Sequence, residues 1–193
     1  MKGKRKGEMD FFYHTITTLI LIFFYYVGFK FPDYDFKFKL SHRNILTHSP
    51  LLVIILFVLH QSKILTLTYK TKYDITDFVT VGLSLGIAIH LLYDLFPKSF
   101  KGTALLQFPI VEKSLSKDET IASIIIFIIF LTGFSVYKIK NYLDLATNLI
   151  LIIITFILKR KSEKKFFRVA FLFVAIFSLL IYLKQNTIFN KFF

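Results

Sequence analysis

Six apolar runs succeed one another along the chain, separated by short polar segments. They cover Thr15 to Phe31, Leu51 to about Leu59, Phe78 to Phe96, Thr120 to Tyr137, Tyr142 to Leu158 and Phe166 to Leu183. Hydrocarbon offers the backbone no hydrogen-bond partner, so such runs predict helices that satisfy their own amides and carbonyls. The predicted fold class is all-α, a polytopic transmembrane helical bundle of about six spans. The breakers fall where this reading needs them. Pro32 stops the first helix after Gly28, Pro97 ends the third, and Ser49-Pro50 predicts an N-cap and first-turn proline just after His48. Gly82, Ser84 and Gly86 put small residues on the third span, where a neighbouring helix could approach closely. Residues 1–193 form a single membrane domain. Residues 10–110 hold the polar chemistry, and 119–184 add further transmembrane helices without a histidine.

Charge refines this picture. Lys2, Lys4, Arg5 and Lys6 precede the first apolar run, and with no small-residue cleavage site after it the segment predicts an uncleaved anchor. Lysine and arginine total 25 against 12 aspartates and glutamates, a formal charge of +13. These cations are spread between the apolar runs instead of forming a stripe with stacking aromatics, which excludes a nucleic-acid face and predicts contact with anionic membrane lipid. Loops one, three and five carry the larger share of them, which places the loops around Asp33–His48 and after Asp94 in the cytoplasm. High Lys, Ile and Phe usage points to a bacterial inner (cytoplasmic) membrane. The chain has no cysteine, so a disulfide, a thiolate metal site and a cysteine nucleophile are excluded.

The candidate chemistry is concentrated between Pro32 and Pro50. Asp33, Asp35, His42, Arg43 and His48 lie within this one connection. At the end of the third run, His90 and Asp94 stand four residues apart and so share a helical face. Loops one and three lie on the same side of the membrane if each run crosses once, which predicts one site at the membrane edge. Imidazole and carboxylate without thiolate suit a divalent metal, with zinc first and manganese or iron open. A plain reading of each element also exists: Asp33 and Asp35 as turn carboxylates, Arg43 reaching a headgroup, and His90 with Asp94 as a packing pair. Ionisable residues at a span are costly, which favours function for the joint pattern. His60 reads as a packing histidine and Asp144 as an interface residue. Glu112, Asp118 and Glu119 read as solvated charges, and Ala104 to Val111 as an apolar patch dipping into the interface.

Gly28 with Pro32-Asp33-x-Asp35, then His42-Arg43 and Thr47-His48-Ser49, then His90-x-x-x-Asp94, resemble the YdjM-like family of membrane-bound metal-dependent hydrolases. The resemblance covers residues 10 to 110. It departs from the family pattern at Phe36, where a histidine often follows the acidic motif, and in a His42 to His48 spacing one residue longer than the commonest form. It implies a metal-binding set of His14, Asp33, Asp35, His42, His48, His90 and Asp94. His14 reaches that set only if the chain after Tyr26 folds back, since a continuous helix would put nearly 30 Å between it and Asp33. The implied activity is hydrolysis of a phosphoester or lipid-type substrate through a metal-activated water. Asp33 or Asp35 would then be ligand or general base, and Arg43 would stabilise developing negative charge. The alternatives are a non-catalytic membrane metal-binding or transport protein, and a structural protein that binds no metal.

Overall fold

The apolar runs become helices α1 (Lys2–Lys30), α2 (Leu51–Gln61), α3 (Thr76–Asp94), α4 (Lys117–Lys138), α5 (Tyr142–Lys159) and α6 (Phe166–Phe189) in the computed structural model. The structure describes residues 2–65, 68–69, 73–109, 113–139, 142–160 and 166–189; Glu112 and the end of the patch at Val111 lie outside these. Among the described residues, five helices are long and apolar enough to cross a membrane, so the chain is a multi-pass helical membrane bundle. α2, at 11 residues, is about 16 Å long and falls short of a bilayer's hydrocarbon. Two starts lie earlier than the apolar pattern alone predicts. α1 extends back to Lys2, its lysines, arginine, Glu8 and Met9 favouring helix in spite of Gly3 and Gly7. α4 begins at Lys117 because Ser116 and Glu119 form a reciprocal capping box.

α3 is the axis of the bundle: 78% of its span is buried, against 17 to 39% for the other four. It packs on α1 almost backbone to backbone. A Cβ on Gly82 would lie 2.7 Å from the Leu21 carbonyl oxygen, and one on Gly86 would collide with the Tyr25 carbonyl; Gly28 faces Leu83 in the same way. Residue numbers rise together along this contact, so α1 and α3 are parallel and end on one side. The connection between them must return the chain. α2 makes most of that return, ending where Phe57 meets Phe134 and where Lys138 and Asp77 pair at 2.7 Å.

α4 runs antiparallel to α3, joined by Ser84 Oγ donating to the Leu131 carbonyl at 2.7 Å and Ser135 Oγ to that of Val81 at 3.4 Å. α5 is pinned to α1 by the hydroxyls of Tyr25 and Thr155, 2.5 Å apart. At the end of α1 and α3, loops one and three interlock. Gln107 N donates to the Arg43 carbonyl at 3.1 Å, and Ile45 N to that of Gln107 at 2.9 Å. Leu106 is fully buried. The described part of the Ala104 patch therefore clamps loop one instead of dipping into lipid.

Candidate metal centre

Loop one is shaped around the buried carboxylate of Asp35. Its Oδ1 accepts the Phe36 amide at 2.7 Å, while Oδ2 accepts the Arg43 amide at 2.8 Å and His42 Nδ1 at 3.2 Å. These bonds close residues 36–43 into a ring and hold Arg43 at a φ of 56°, a left-handed conformation that the clash of Cβ with the backbone carbonyl disfavours. Asn44 then turns the chain. Its side-chain oxygen accepts the Leu46 amide at 3.1 Å, and its carbonyl accepts the Thr47 and His48 amides. The helix cap falls one residue later than expected, on Pro50; the Ser49 hydroxyl accepts the Leu51 amide at 3.2 Å, and the buried His48 sits just before the entrance of α2.

His48, His90 and Asp94 converge. Asp94 Oδ2 lies 3.3 Å from His48 Nε2 and 3.4 Å from His90 Nε2. One ligand atom from each residue falls within 4.8 Å of the others, so the three could hold a metal ion. The hydrogen bonds behind the rings decide what these atoms carry. His90 Nδ1 lies 2.9 Å from the Phe29 carbonyl oxygen, which can only accept, so Nδ1 is the protonated nitrogen. With the Thr47 hydroxyl donating to the Asn44 carbonyl at 3.1 Å, it accepts from His48 Nδ1 at 3.0 Å. In the neutral rings both Nε2 atoms therefore present lone pairs to Asp94. Its Oδ2 is buried and makes no hydrogen bond. A protonated imidazole or a bound cation would answer these acceptors, beside the Arg43 guanidinium that already pairs with Oδ1.

A metal ion fits this position. Tetrahedral coordination with bonds of about 2.0 to 2.1 Å separates ligand atoms by about 3.3 to 3.4 Å, matching the two separations from Asp94 Oδ2, while the two imidazole nitrogens lie within 4.8 Å of each other. Three protein ligands leave a fourth position open, as in catalytic sites. The rings are held from behind by a carbonyl and a hydroxyl, the outer-shell arrangement that fixes tautomer and orientation.

The remaining candidates take other places. Asp33 stands at the rim, half exposed, with Oδ1 3.9 Å from His90 Nε2 and Oδ2 3.9 Å from Lys30 Nζ. His42 lies outside the group of three; its ring meets that of His48 edge-on at 6.2 Å between centroids. Asp35, expected as ligand or base, has both oxygens occupied by the chain's own donors and acts as a clasp. Arg43, expected to face a reacting group, gives Nη2 to Asp94 Oδ1 at 2.8 Å and Nη1 to the Ala104 carbonyl at 2.6 Å. It holds Asp94 in place. His14 is not brought to the site: α1 is unbroken from Lys2 to Lys30, which leaves about 28 Å between His14 and Asp33. His60, with Nδ1 3.3 Å from the Leu65 carbonyl oxygen, packs at the far end of α2. Sequence reasoning missed the parts played by Thr47, Asn44 and Gln107. Only the Asn44-x-x-Thr47 spacing, which suits a capped turn, carried a local signal for them.

The fold and site define a membrane bundle with a His-His-Asp centre at the end of its central helix. The chain matches no protein-family model, no curated protein and no solved structure.

Proposed function

We propose that this protein is a membrane-embedded, metal-dependent hydrolase of the YdjM-like kind, acting on a phosphoester or lipid-type substrate in a bacterial inner membrane. The observation that carries the reading is the convergence of His48 Nε2 and His90 Nε2 on Asp94 Oδ2. A divalent cation held there, zinc being the best match to the donor set, would supply Lewis acidity that makes water a stronger acid and polarises a phosphoryl oxygen. The chain's own groups divide the rest of the work. His48, His90 and Asp94 bind; Arg43 holds Asp94; Asp33, at the rim and reachable by solvent, is placed to accept a proton. The cluster sits at the end of a span and not near the midplane where transport sites gather, which favours a surface reaction over a pathway.

The test is elemental analysis of purified wild type beside His48→Ala and Asp94→Ala, followed by a panel of phosphoesters. Bound metal lost in both variants, with metal-stimulated turnover lost in His90→Ala, is the expected result. A wild type without metal removes the metal centre. Metal without turnover on any phosphoester, and with uptake into proteoliposomes, turns the reading to transport.

A further inference from the structure

Residues Phe36-Lys37-Phe38-Lys39 lie on the surface beside the cluster and supply none of its three ligand atoms. All four are exposed, Phe36 to 67% and Phe38 to 57%. A tight turn displays them, with the Phe38 amide bonded to the Tyr34 carbonyl at 3.0 Å and the Lys39 amide to that of Phe36 at 3.2 Å. α1 and α3 both finish at this level, at Lys30 and Asp94, so the turn lies at the end of two membrane-length helices. Two aromatic rings on a solvated loop gain by entering an interface, and aromatic residues gather at that depth.

Apart from Asp33, which pairs with Lys30 at the rim, the exposed charge around them is basic. Across residues 36–46 and 95–109 the exposed ionic groups are Lys37, Lys39, Lys98 and Lys101, and these two segments contain no aspartate or glutamate. The Lys37 ammonium rests 4.3 Å from the Tyr34 ring centroid, which directs it along the turn. The strip also touches the site. The Phe36 ring stacks on His42 at 5.0 Å and 20°, and His42 in turn abuts His48.

We infer that Phe36 to Lys39, with Lys98 and Lys101, form a docking surface for the anionic phosphate headgroup of a membrane lipid, at the mouth of the His48–His90–Asp94 cluster. Phe36 and Phe38 set the depth of the turn in the leaflet. The lysines supply the attraction that lipid phosphate answers. This surface stands independently of whether the cluster hydrolyses anything.

Because the chain has no cysteine, Phe38→Cys gives one attachment point for an environment-sensitive fluorophore on the full chain. Reconstituted into phosphatidylcholine vesicles and into vesicles with half of that lipid replaced by phosphatidylglycerol, the label should show blue-shifted emission. A lipid-borne shallow quencher should reach it better than acrylamide does. Acrylamide access should fall at least twofold on adding the anionic lipid, and Lys37→Gln with Lys39→Gln should abolish that difference. The same response in a His48→Ala background separates this surface from the metal reading. Acrylamide access equal to that of free label in both vesicle types, or a lipid dependence untouched by the double lysine variant, would overturn the proposal and leave a water-facing basic turn.

Discussion

His90 donates from Nδ1 to the carbonyl oxygen of Phe29 at 2.9 Å, so one imidazole closes the C-terminal end of α1 and aims its other nitrogen at Asp94. The bond exists because Gly86, one turn earlier on the same face, lets α3 approach α1 to backbone contact. Helix spacing and metal geometry are thus one variable. Gly86→Ala should force the helices apart, costing about 1 to 3 kcal/mol of stability and lowering metal affinity by about 10- to 100-fold. Gly133→Ala is the control, since a Cβ there meets only Leu180 Cδ2 at an ordinary 3.8 Å. Thermal unfolding in detergent and metal titration of both variants would check it; equal behaviour of the two would break the link between spacing and site.

Thr47 works through its oxygen. Because its proton goes to Asn44, it accepts from His48 Nδ1 and keeps the Nε2 lone pair directed at the cluster. Thr47→Val keeps the shape and removes the acceptor, so metal affinity should fall by about 10- to 100-fold while the fold persists. Thr47→Ser should restore most of it. A competition titration against a chromogenic chelator measures both.

The bundle was largely legible in the sequence because hydrocarbon leaves an apolar run few options: α3 and α5 begin and end within two residues of their apolar runs. The shared position of His48, His90 and Asp94 was legible too, since a four-residue helical spacing and a same-side connection suffice to bring them together. The occupancy of individual atoms was not. Asp33 and Asp35 are alike in sequence, yet one lies at the rim and the other accepts three donors, because only the folded loop presents amides from residues 36 and 43. Arg43 likewise gains its partners from loop three and α3, far along the chain.

His14 offers a clean test of the difference between motif and geometry. Its place on an unbroken α1 puts it at the level of the Tyr13–Phe78 ring contact, near the start of α3 and away from the site. His14→Ala should leave metal stoichiometry and affinity unchanged within about twofold, as expected of a substitution away from such features. A loss of metal would mean that α1 bends back in the membrane.

The two aspartates should separate on different axes. Asp35→Asn removes charge from a buried acceptor of three hydrogen bonds, at about 1.5 to 3 kcal/mol for a bond to a charged group, so unfolding should move to clearly lower temperature. Asp33→Asn, on a half-exposed group, should cost less than about 0.5 kcal/mol. If Asp33 is the proton acceptor, turnover should fall by about 10²- to 10⁴-fold with the metal still bound. Unfolding curves and metal content, read beside activity, distinguish a clasp from a base.

Asp94 joins both systems, so stability and metal binding can be pulled apart there. Asp94→Ala removes a ligand of the candidate metal site and leaves the buried Arg43 guanidinium without its carboxylate, which should cost about 3 to 5 kcal/mol, more than any histidine variant. Replacing both partners, as Asp94→Asn with Arg43→Met, should recover much of the stability and none of the metal, because the uncompensated charge is gone while the ligand is still missing. Chelation supplies the converse. In wild type, removing a metal present at a hundred times its dissociation constant should lower stability by about 2.7 kcal/mol, and the double variant should show no such response. Urea unfolding with and without chelator measures the four states. A double variant that still responds to chelator would place the metal somewhere other than on Asp94.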